Sequence, residues 1–538
     1  MWAAAAMVLT ASVACTQAPR PATNAPRTVR FDVAADPTTL DPLFVHTDAE
    51  GVEQQLARLA FEPFYDVDAR GRPVPALLTT VPTVSNGGVS RDGRTLTYHL
   101  RRGVLWSDGV PVTARDVLFT LHAIVDPRNP VGSREGYDLV DRAVALDRYT
   151  VRFHLRRAWA PAVATLFAAG PAPQFVLPAH VLGKAERLDR SPFGSDPSVG
   201  DGPFSLVSWR RGDRLTYRAN PKYWRGKPSV DLLEVGVVPD PATNLTLLRS
   251  GAIDFNLVAP VQLAALSGQP GLNVLDVPIA LVAGIALNVR HPPLDDPAVR
   301  RALAQSIDRD AISRKITLDH YPTADTDRPR FSWAYDPTIR QPHYDPAAAD
   351  AALDMRGWRR GANGIRAKGG APLALTYVQF PETTTGVRVA TMVQAELRAR
   401  GIDATIKSIS NAQLFLPARE GGTLARGAFD LAYVPWLFGA DPDDRFLYGC
   451  AGEKNYMRWC DPRVAALEVR AVSEPRQALR KADYAAIDRI VARDVPLVWL
   501  FNPNYVYVYR SRLRGFSPNA FSPTWNAWAW RMDPASGS

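Results

Sequence analysis

The C-terminal half of the chain alternates strands with a helix, and this pattern limits the possible folds more than any other feature. Residues 373–379 are typical of an apolar strand, and residues 386–400 are typical of a helix that ends at Gly401. Further strands are predicted over residues 403–408 and 429–434. One face of the predicted helix carries Val389, Val393 and Leu397. A strand, a crossover helix and another strand predict an α/β domain with a partly parallel sheet.

A second long helix is predicted near the C-terminus. Apolar spacing over residues 475–493 directs one face of this helix inward, and the apolar strand of residues 496–501 follows. The residues predicted to point inward are Leu479, Ile487, Ile490 and Val491.

The first half of the chain contains a segment typical of a separate unit. Residues 95–100 and 149–155 alternate apolar and polar side chains, as strands of a half-buried sheet do. Between them, Thr113 precedes the acidic Asp116 by three positions, which is the capping-box pattern at the start of a helix. We therefore expect residues 65–198 to form a self-contained α+β insert.

Composition excludes several classes of protein. Of the 538 residues, 46% are hydrophobic and 22% are charged, which excludes a disordered chain and a multispan membrane protein. The 63 basic and 54 acidic residues give a net charge of +9, but the arginines are scattered singly and in pairs along the chain. Because no basic run stands out, we expect no nucleic-acid partner.

The N-terminal residues indicate export. Residues 1–14 are apolar and rich in alanine, they end in Ser12-Val13-Ala14-Cys15, and a stretch rich in Pro, Ala and Thr follows over residues 16–28. Small residues just before a cysteine resemble the lipobox of bacterial lipoproteins. This resemblance implies a lipid anchor at Cys15 and a flexible tether over residues 16–28. A cleaved secretory signal without lipid and a buried apolar helix remain the alternatives.

The other two cysteines, Cys450 and Cys460, lie ten positions apart. In an exported protein such a pair is most simply a disulfide that closes a small surface loop. Two cysteines without a nearby histidine do not make a zinc site, and the eight histidines never fall within four positions of one another. We therefore expect no metal site and no cofactor. The sequence has no Walker loop, HExxH or GxSxG motif, so we expect a protein that is not an enzyme.

Four separated segments together resemble the family 5 extracellular solute-binding proteins, the peptide- and nickel-binding receptors of ABC importers. The segments are LTYHLRRGVLWSDGVPVTARDVLFTL (96–121), GDGPFSLVSWRRGDRLTYRANPKYWRGKPSVD (200–231), IALNVRHPPLDDPAVRRALAQSIDRDAI (285–312) and FDLAYVPWLFGADPDDRFLYGC (429–450). Their order and spacing match the family over essentially the whole mature chain. For the first three segments, we favour a role in holding turns and corners over a role in binding ligand.

The resemblance implies an α/β, periplasmic-binding-protein-like fold of class II, cluster C, in which two lobes close on a ligand. The first lobe would be assembled from three parts of the chain, with residues 65–198 as an extra α+β domain packed on it. The second lobe would comprise residues 276–499. The three parts of the first lobe would be residues 27–64, 199–275 and 500–538.

The resemblance also implies where a ligand binds. In peptide-binding members, an acidic residue shortly after a tryptophan meets the α-ammonium group of the ligand. The run that follows Trp436 makes Asp441 the first candidate for this role and Asp443 the second. The alternative is that these carboxylates cap the following turn.

Further candidates flank that run. Tyr433, Trp436 and Phe438 would present aromatic surface to the ligand or serve in ordinary packing. Arg419 occupies a stretch where some oligopeptide-binding relatives keep a basic residue for a ligand carboxylate, and a solvated loop arginine is the alternative. Thr47 and Asp48 align with the ligand-facing wall of the first lobe.

The function implied is that of a receptor that captures peptides between closing lobes and delivers them to an ABC permease with its ATPase. A non-peptide solute, such as a nickel chelate, an oligosaccharide or an opine, remains an alternative on the same fold. A ligand sensor without transport and an exported hydrolase are further alternatives. We expect a monomer in the periplasm or at the outer face of the cytoplasmic membrane, held there by the lipid anchor.

Overall fold

Two mixed β-sheets organise the molecule. A computed structural model describes residues 26–45, 51–168, 170 and 173–534. The predicted signal segment with Cys15 and most of the predicted tether lie outside the described residues. The strands are β1 (Thr28–Val33), β2 (Tyr65–Val67), β3 (Pro73–Pro75), β4 (Thr95–His99), β5 (Val140–Asp147), β6 (Thr150–Leu155), β7 (Phe204–Arg210), β8 (Arg214–Ala219), β9 (Leu232–Val237), β10 (Phe255–Leu257), β11 (Leu272–Pro278), β12 (Leu281–Leu287), β13 (Arg359–Arg360), β14 (Arg366–Lys368), β15 (Ala371–Pro372), β16 (Ala374–Gln379), β17 (Asp403–Ser408), β18 (Leu431–Leu437), β19 (Leu497–Phe501), β20 (Asn504–Arg510), β21 (Leu513–Arg514) and β22 (Arg531–Met532).

The α-helices vary from single turns to eighteen residues in length. They are α1 (Val52–Ala60), α2 (Ala114–Val125), α3 (Ala162–Thr165), α4 (Ala179–Leu182), α5 (Pro241–Ser250), α6 (Pro297–Ser306), α7 (Arg309–Ile312), α8 (Pro346–Met355), α9 (Thr384–Ala399), α10 (Asn411–Phe415), α11 (Thr423–Arg426), α12 (Arg445–Tyr448), α13 (Pro462–Ser473) and α14 (Gln477–Asp494). Among the described residues, no helix combines the length and the apolar content that crossing a bilayer requires.

An aspartate followed by proline starts four of these helices. The first N–H groups of a helix have no partner within the helix. Proline at the first position has no N–H to satisfy, and the aspartate before it accepts hydrogen bonds from the N–H groups that follow. In α6, for example, the Asp296 carboxylate accepts the N–H of Ala298 over 2.8 Å. The four pairs are Asp240-Pro241, Asp296-Pro297, Asp345-Pro346 and Asp461-Pro462.

The first lobe is built on a seven-stranded sheet with the order β11-β20-β10-β1-β9-β8-β7. The central strand β1 runs parallel to β9 and β10, and the outer pairs are antiparallel. Phe31 of β1 is buried and stacks on Phe255 with ring centroids 4.7 Å apart. Strands from both ends of the chain therefore meet in one sheet.

The second lobe is built on a five-stranded sheet with the order β17-β16-β18-β12-β19. β16 pairs in parallel with β17, and α9 connects these two strands. The predicted inner face of α9 is confirmed, because Val389, Val393 and Leu397 are fully buried. The predicted α/β domain with a partly parallel sheet is therefore confirmed.

A separate antiparallel sheet, β4-β6-β5, lies in the segment predicted as an α+β insert. We refer to the unit around this sheet as the inserted domain. The Asp116 carboxylate accepts the backbone N–H groups of Thr113 over 2.8 Å and of Ala179 over 3.0 Å. The capping-box residue thus starts α2 and also ties α2 to α4.

The prediction for the last helix was partly wrong. Leu479 was expected to point inward, but it is 45% exposed. The buried face of α14 begins one residue later and carries Arg480, Asp483, Tyr484, Ile487, Asp488 and Val491. Charged side chains occupy much of this face, so the spacing of apolar residues does not indicate which residues of the first turn are buried.

The chain passes between the two large sheets at two adjacent places. β11 continues through residues 279–280 into β12, and β19 continues through residues 502–503 into β20. The N–H of Ile279 donates to the carbonyl of Pro503 over 3.4 Å, so the two connections contact each other. Strand pairs of this kind are positions where two lobes can rotate about each other. The lobe and domain boundaries themselves stay predictions.

Candidate functional site

Two cavities lie between the units of the fold. The hinge cavity, of about 560 Å³, is bounded by Asp32, Asn256 and Tyr505 of the first lobe and by Tyr321 and Arg388 of the second. It sits beside the two connections between the sheets. A space of this size, lined from both lobes, is within the usual range for a small-ligand site.

The acidic cavity, of about 670 Å³, lies between the inserted domain and the second lobe. The inserted domain contributes Glu135, and the segment after β18 contributes Asp441 and Asp443. Glu453 and Lys454 complete its charged lining. Four carboxylates and one ammonium group give this cavity an acidic character that favours a cationic ligand group.

The end of β18 presents backbone groups at the acidic cavity. β16 pairs with β18 only at the first two residues, whereas β12 pairs with all of it. The N–H of Phe438 donates to the carbonyl of Ala280 over 2.7 Å. In an antiparallel pair, residues that bond to the partner strand alternate with residues whose backbone groups point to the opposite edge of their own strand. Tyr433 and Leu437 therefore turn their N–H and C=O groups away from β12, and Pro435, which has no N–H, turns only its carbonyl. Leu437 also lines the acidic cavity, so an extended ligand could pair with this edge.

Asp441, the first candidate for an ammonium partner, already has a cationic partner in the protein. Its two carboxylate oxygens accept hydrogen bonds from the terminal nitrogens of Arg480 at 2.7 and 2.5 Å. Both side chains are buried, at 9% exposure for Asp441 and 6% for Arg480. Burial acts to lower the pKa of Arg480, but the Asp441 carboxylate outweighs it, so this pKa is raised. Asp441 therefore has a counter-ion in the absence of any ligand.

Asp443, the second candidate, forms a local ion pair. Its carboxylate accepts from Nε of Arg445 at 2.9 Å and from the terminal nitrogen of the same guanidinium at 2.6 Å. The N–H of Asp443 donates to the Asp441 carboxylate over 3.1 Å. The two candidates are thus joined in one turn, and each carries its own arginine.

Glu135 lines the acidic cavity and is a further candidate that the sequence did not reveal. No described residue forms an ion pair with its carboxylate. Desolvation raises the pKa of Glu135, and the carboxylate of Asp443 across the cavity raises it further. Glu135 belongs to the inserted domain and Asp443 to the second lobe, so only the folded chain brings these two charges together.

The predicted aromatic candidates lie mainly in the core of the second lobe. Trp436 and Tyr433 are buried, and the Trp436 ring packs edge-on against Trp499 with centroids 5.3 Å apart. Phe438 is also buried, but it lines a small cavity of about 30 Å³ together with Gly439 and Asp441.

The remaining candidates are distributed elsewhere. The Arg419 side chain is 84% exposed, and its Nε donates to the Glu420 carboxylate over 3.1 Å. Thr47 and Asp48 lie outside the described residues. The structure therefore does not bring Arg419 together with Asp441 and Asp443 around one cavity.

The predicted disulfide between Cys450 and Cys460 is confirmed, with Cα atoms 4.7 Å apart. The loop that it closes contains Glu453 and Lys454, which line the acidic cavity. The bond therefore restrains one wall of the candidate site.

Comparison with known proteins gives consistent results. The profile described as "Bacterial extracellular solute-binding proteins, family 5 Middle" matches residues 72–458. Protein XP55 of Streptomyces lividans is 30% identical over 508 residues, which cover 92% of this chain and 87% of that protein. Di/tripeptide-binding protein 2 of Pseudomonas aeruginosa is 28% identical and covers 85% of this chain and 89% of its own length. Among solved structures, NikA from Brucella suis in complex with Fe(III)-EDTA has a TM-score of 0.81 at 22% identity, with 94% of this chain and 100% of that chain covered.

Proposed function

Because this chain belongs to the bacterial extracellular solute-binding proteins, family 5, we propose that it captures peptides between its lobes and delivers them to the permease of an ABC importer. Relatives named as di/tripeptide-binding proteins support the peptide as ligand. The periplasmic-binding-protein-like fold that the sequence predicted is confirmed by the family match and by the solved structures.

The observation that carries the peptide proposal is the open edge of β18 at the acidic cavity. Every peptide has N–H and C=O groups that can pair with such an edge, so this contact gives affinity without selecting a sequence. Most small solutes other than peptides lack this regular row of donors and acceptors. We therefore place the peptide backbone along residues 433–437.

We place the ligand's ammonium group among the carboxylates of the acidic cavity. Asp441 and Asp443 stay candidates, since a carboxylate oxygen that accepts one hydrogen bond has a further lone pair. Glu135 is the stronger candidate by charge, because Asp441 and Asp443 are each neutralised by an arginine. A cation between Glu135 and Asp443 also relieves the repulsion that raises the pKa of Glu135.

We propose that the lobes turn about residues 279–280 and 502–503. A ligand that contacts the second lobe on one side and the first lobe or the inserted domain on the other favours the closed form. The permease with its ATPase would then recognise that form. Catalysis has no part in this mechanism.

The proposal includes the protein's location. Relatives of this chain are named as periplasmic binding proteins, which supports export. Cys15 would carry the lipid anchor, and residues 16–28 would tether a monomeric body at the membrane surface.

The experiment that tests the function is identification of the native ligand. The protein is purified without its first 15 residues, denatured to release what it holds, and the released fraction is analysed by mass spectrometry. Peptides in about equimolar amount are the expected result. A nickel chelate, an oligosaccharide or an opine in that fraction would contradict the peptide assignment while leaving the receptor role intact.

A further inference from the structure

Three aspartates surround one arginine in the core of the second lobe. Asp327, Asp444 and Asp488 are all buried, and one carboxylate oxygen from each lies within 4.8 Å of the others. Arg328 donates to Asp444 over 2.5 Å and lies 3.4 Å from Asp327 and 3.3 Å from Asp488. We refer to these four residues as the aspartate cluster.

Arg328 does not satisfy the hydrogen-bonding capacity of this cluster. Both oxygens of Asp327, both oxygens of Asp488 and one oxygen of Asp444 accept no hydrogen bond from any described residue. Buried polar atoms are normally paired, because the loss of water around them is costly. Two of these five oxygens lie 3.3 and 3.4 Å from an Arg328 nitrogen without forming a hydrogen bond, and the other three have no donor among the described residues, which points to a bound group that supplies positive charge.

The hydroxyl group of a buried tyrosine also has no hydrogen-bond partner among the described residues. Tyr448 is 1% exposed, and its hydroxyl has no hydrogen-bond partner among the described residues. Burial raises the pKa of Tyr448, and the carboxylates of Asp327, Asp488 and Asp444 raise it further. The Tyr448 hydroxyl therefore experiences the charge of all three carboxylates, and it is a further buried oxygen without a hydrogen-bond partner among the described residues.

The charge count of the cluster favours a divalent ion. Three carboxylates and one guanidinium carry a net charge of minus two when the carboxylates are ionised. A single divalent cation brings this sum to zero, whereas a monovalent cation leaves a buried charge uncompensated.

The donor atoms and their burial narrow the kind of ion. All the available ligands are oxygens, which suit hard cations rather than zinc or copper. Mg²⁺ usually keeps several of its waters, whereas Ca²⁺ accepts a shell of protein oxygens, so carboxylates that are at most 2% exposed favour Ca²⁺.

We propose that Asp327, Asp444 and Asp488 bind one divalent cation, with Ca²⁺ as the best fit, beside Arg328 and Tyr448. Arg328 also donates to the carbonyl of Pro442 over 2.6 Å, so the cluster is attached to the segment that carries Asp441 and Asp443. The ion would hold this segment in place at the acidic cavity. This proposal stands apart from the peptide proposal, because it concerns a resident ion outside the ligand space.

The first test is the metal content of the full protein body. Protein purified without chelator is analysed by inductively coupled plasma mass spectrometry, and a chelator-treated sample is titrated with CaCl₂ or MgCl₂ alone. We expect about one calcium per chain before chelation. We also expect chelation to lower the melting temperature by several degrees, and CaCl₂ to restore it more effectively than MgCl₂ does. Absence of bound metal, together with a melting temperature unchanged by millimolar CaCl₂, would overturn the proposal.

The second test assigns the ion to the cluster. Asp488→Asn is expected to weaken Ca²⁺ binding at least tenfold, whereas Asp403→Asn, at an exposed ion pair with Arg398, is expected to leave it unchanged. If the cluster holds protons instead, Asp488→Asn would be more stable than the parent at neutral pH and calcium would stabilise neither protein. That outcome would also overturn the proposal. The parent titration remains decisive even if Asp488→Asn does not fold.

Discussion

At the scale of single residues, charge pairing over long sequence separations determines the candidate site. Asp441 and Arg480 are 39 positions apart, and both are buried. The run after Trp436 predicted a segment that lines the acidic cavity, but nothing in it indicates that Asp441 has a structural partner on α14. Pairing reduces the number of carboxylates available to a ligand, and Glu135 and Glu453 are the two in the acidic cavity that form no ion pair with a described residue.

The substitution Asp441→Ala tests the structural role of this pair. It leaves the guanidinium of Arg480 buried without its counter-ion, so we expect a loss of about 3 to 5 kcal/mol in the free energy of unfolding. Urea denaturation measures this loss. The control Asp403→Ala breaks the exposed pair with Arg398 and should cost at most about 1 kcal/mol. Equal losses for the two variants would refute a buried ion pair at Asp441.

The buried carboxyl group of Asp41 should make the stability of the protein depend on pH. It is fully buried, one oxygen accepts the N–H of Leu43 over 3.0 Å, and the other has no donor among the described residues. Burial raises the pKa of Asp41 to about 7. The unfolded chain releases this proton near pH 4, so Asp41 lowers stability progressively as the pH rises from about 4 to about 7, by about 4 kcal/mol in total.

The variant Asp41→Asn keeps an acceptor for Leu43 and removes the titrating group. We expect it to equal the parent in stability near pH 4 and to exceed it near pH 8, as measured by denaturation over this range. Parallel stability profiles of parent and variant would show that Asp41 is not the cause.

At the scale of elements, short sequence patterns predicted helices and strands that the structure contains. The strand-helix-strand unit around α9 and the capping box of α2 follow from spacing over fewer than forty residues, and both are present. The inner face of α14 was misplaced at Leu479 because its buried positions include Arg480, Asp483 and Asp488, whose partners lie elsewhere in the chain. Apolar periodicity does not report buried charges.

The disulfide loop between α12 and α13 should contribute to both stability and peptide binding. Cys450 and Cys460 close a short loop, and cross-links of this length stabilise a fold by about 2 to 3 kcal/mol by restricting the unfolded chain. The double variant Cys450→Ser, Cys460→Ser should lose this amount in urea denaturation. It should also bind peptide more weakly, because Glu453 and Lys454 lie within the loop. Unchanged stability and binding would show that the loop is held by other contacts.

At the scale of the whole molecule, the candidate site lies where separate units meet. Glu135 comes from the inserted domain, and Asp443 comes more than three hundred residues later from the second lobe. The aspartate cluster likewise joins Asp327 to Asp444 and Asp488. The resemblance of four segments to a known family predicted the fold, and its prediction for the ligand site stays a prediction. The individual partners could not be predicted, since one sequence without tertiary structure does not show which distant charges meet.

The most direct test of peptide capture is a calorimetric titration of the protein with short peptides that differ only in their N-terminus. We expect saturable binding of a free-amino peptide, at least tenfold weaker binding to Glu135→Gln, and unchanged binding to the control Glu186→Gln, which lines a separate cavity of the inserted domain. The N-acetylated peptide should bind parent and Glu135→Gln equally, because it has no ammonium group to lose. A pool of free-amino peptides that gives no binding to the parent would contradict the account.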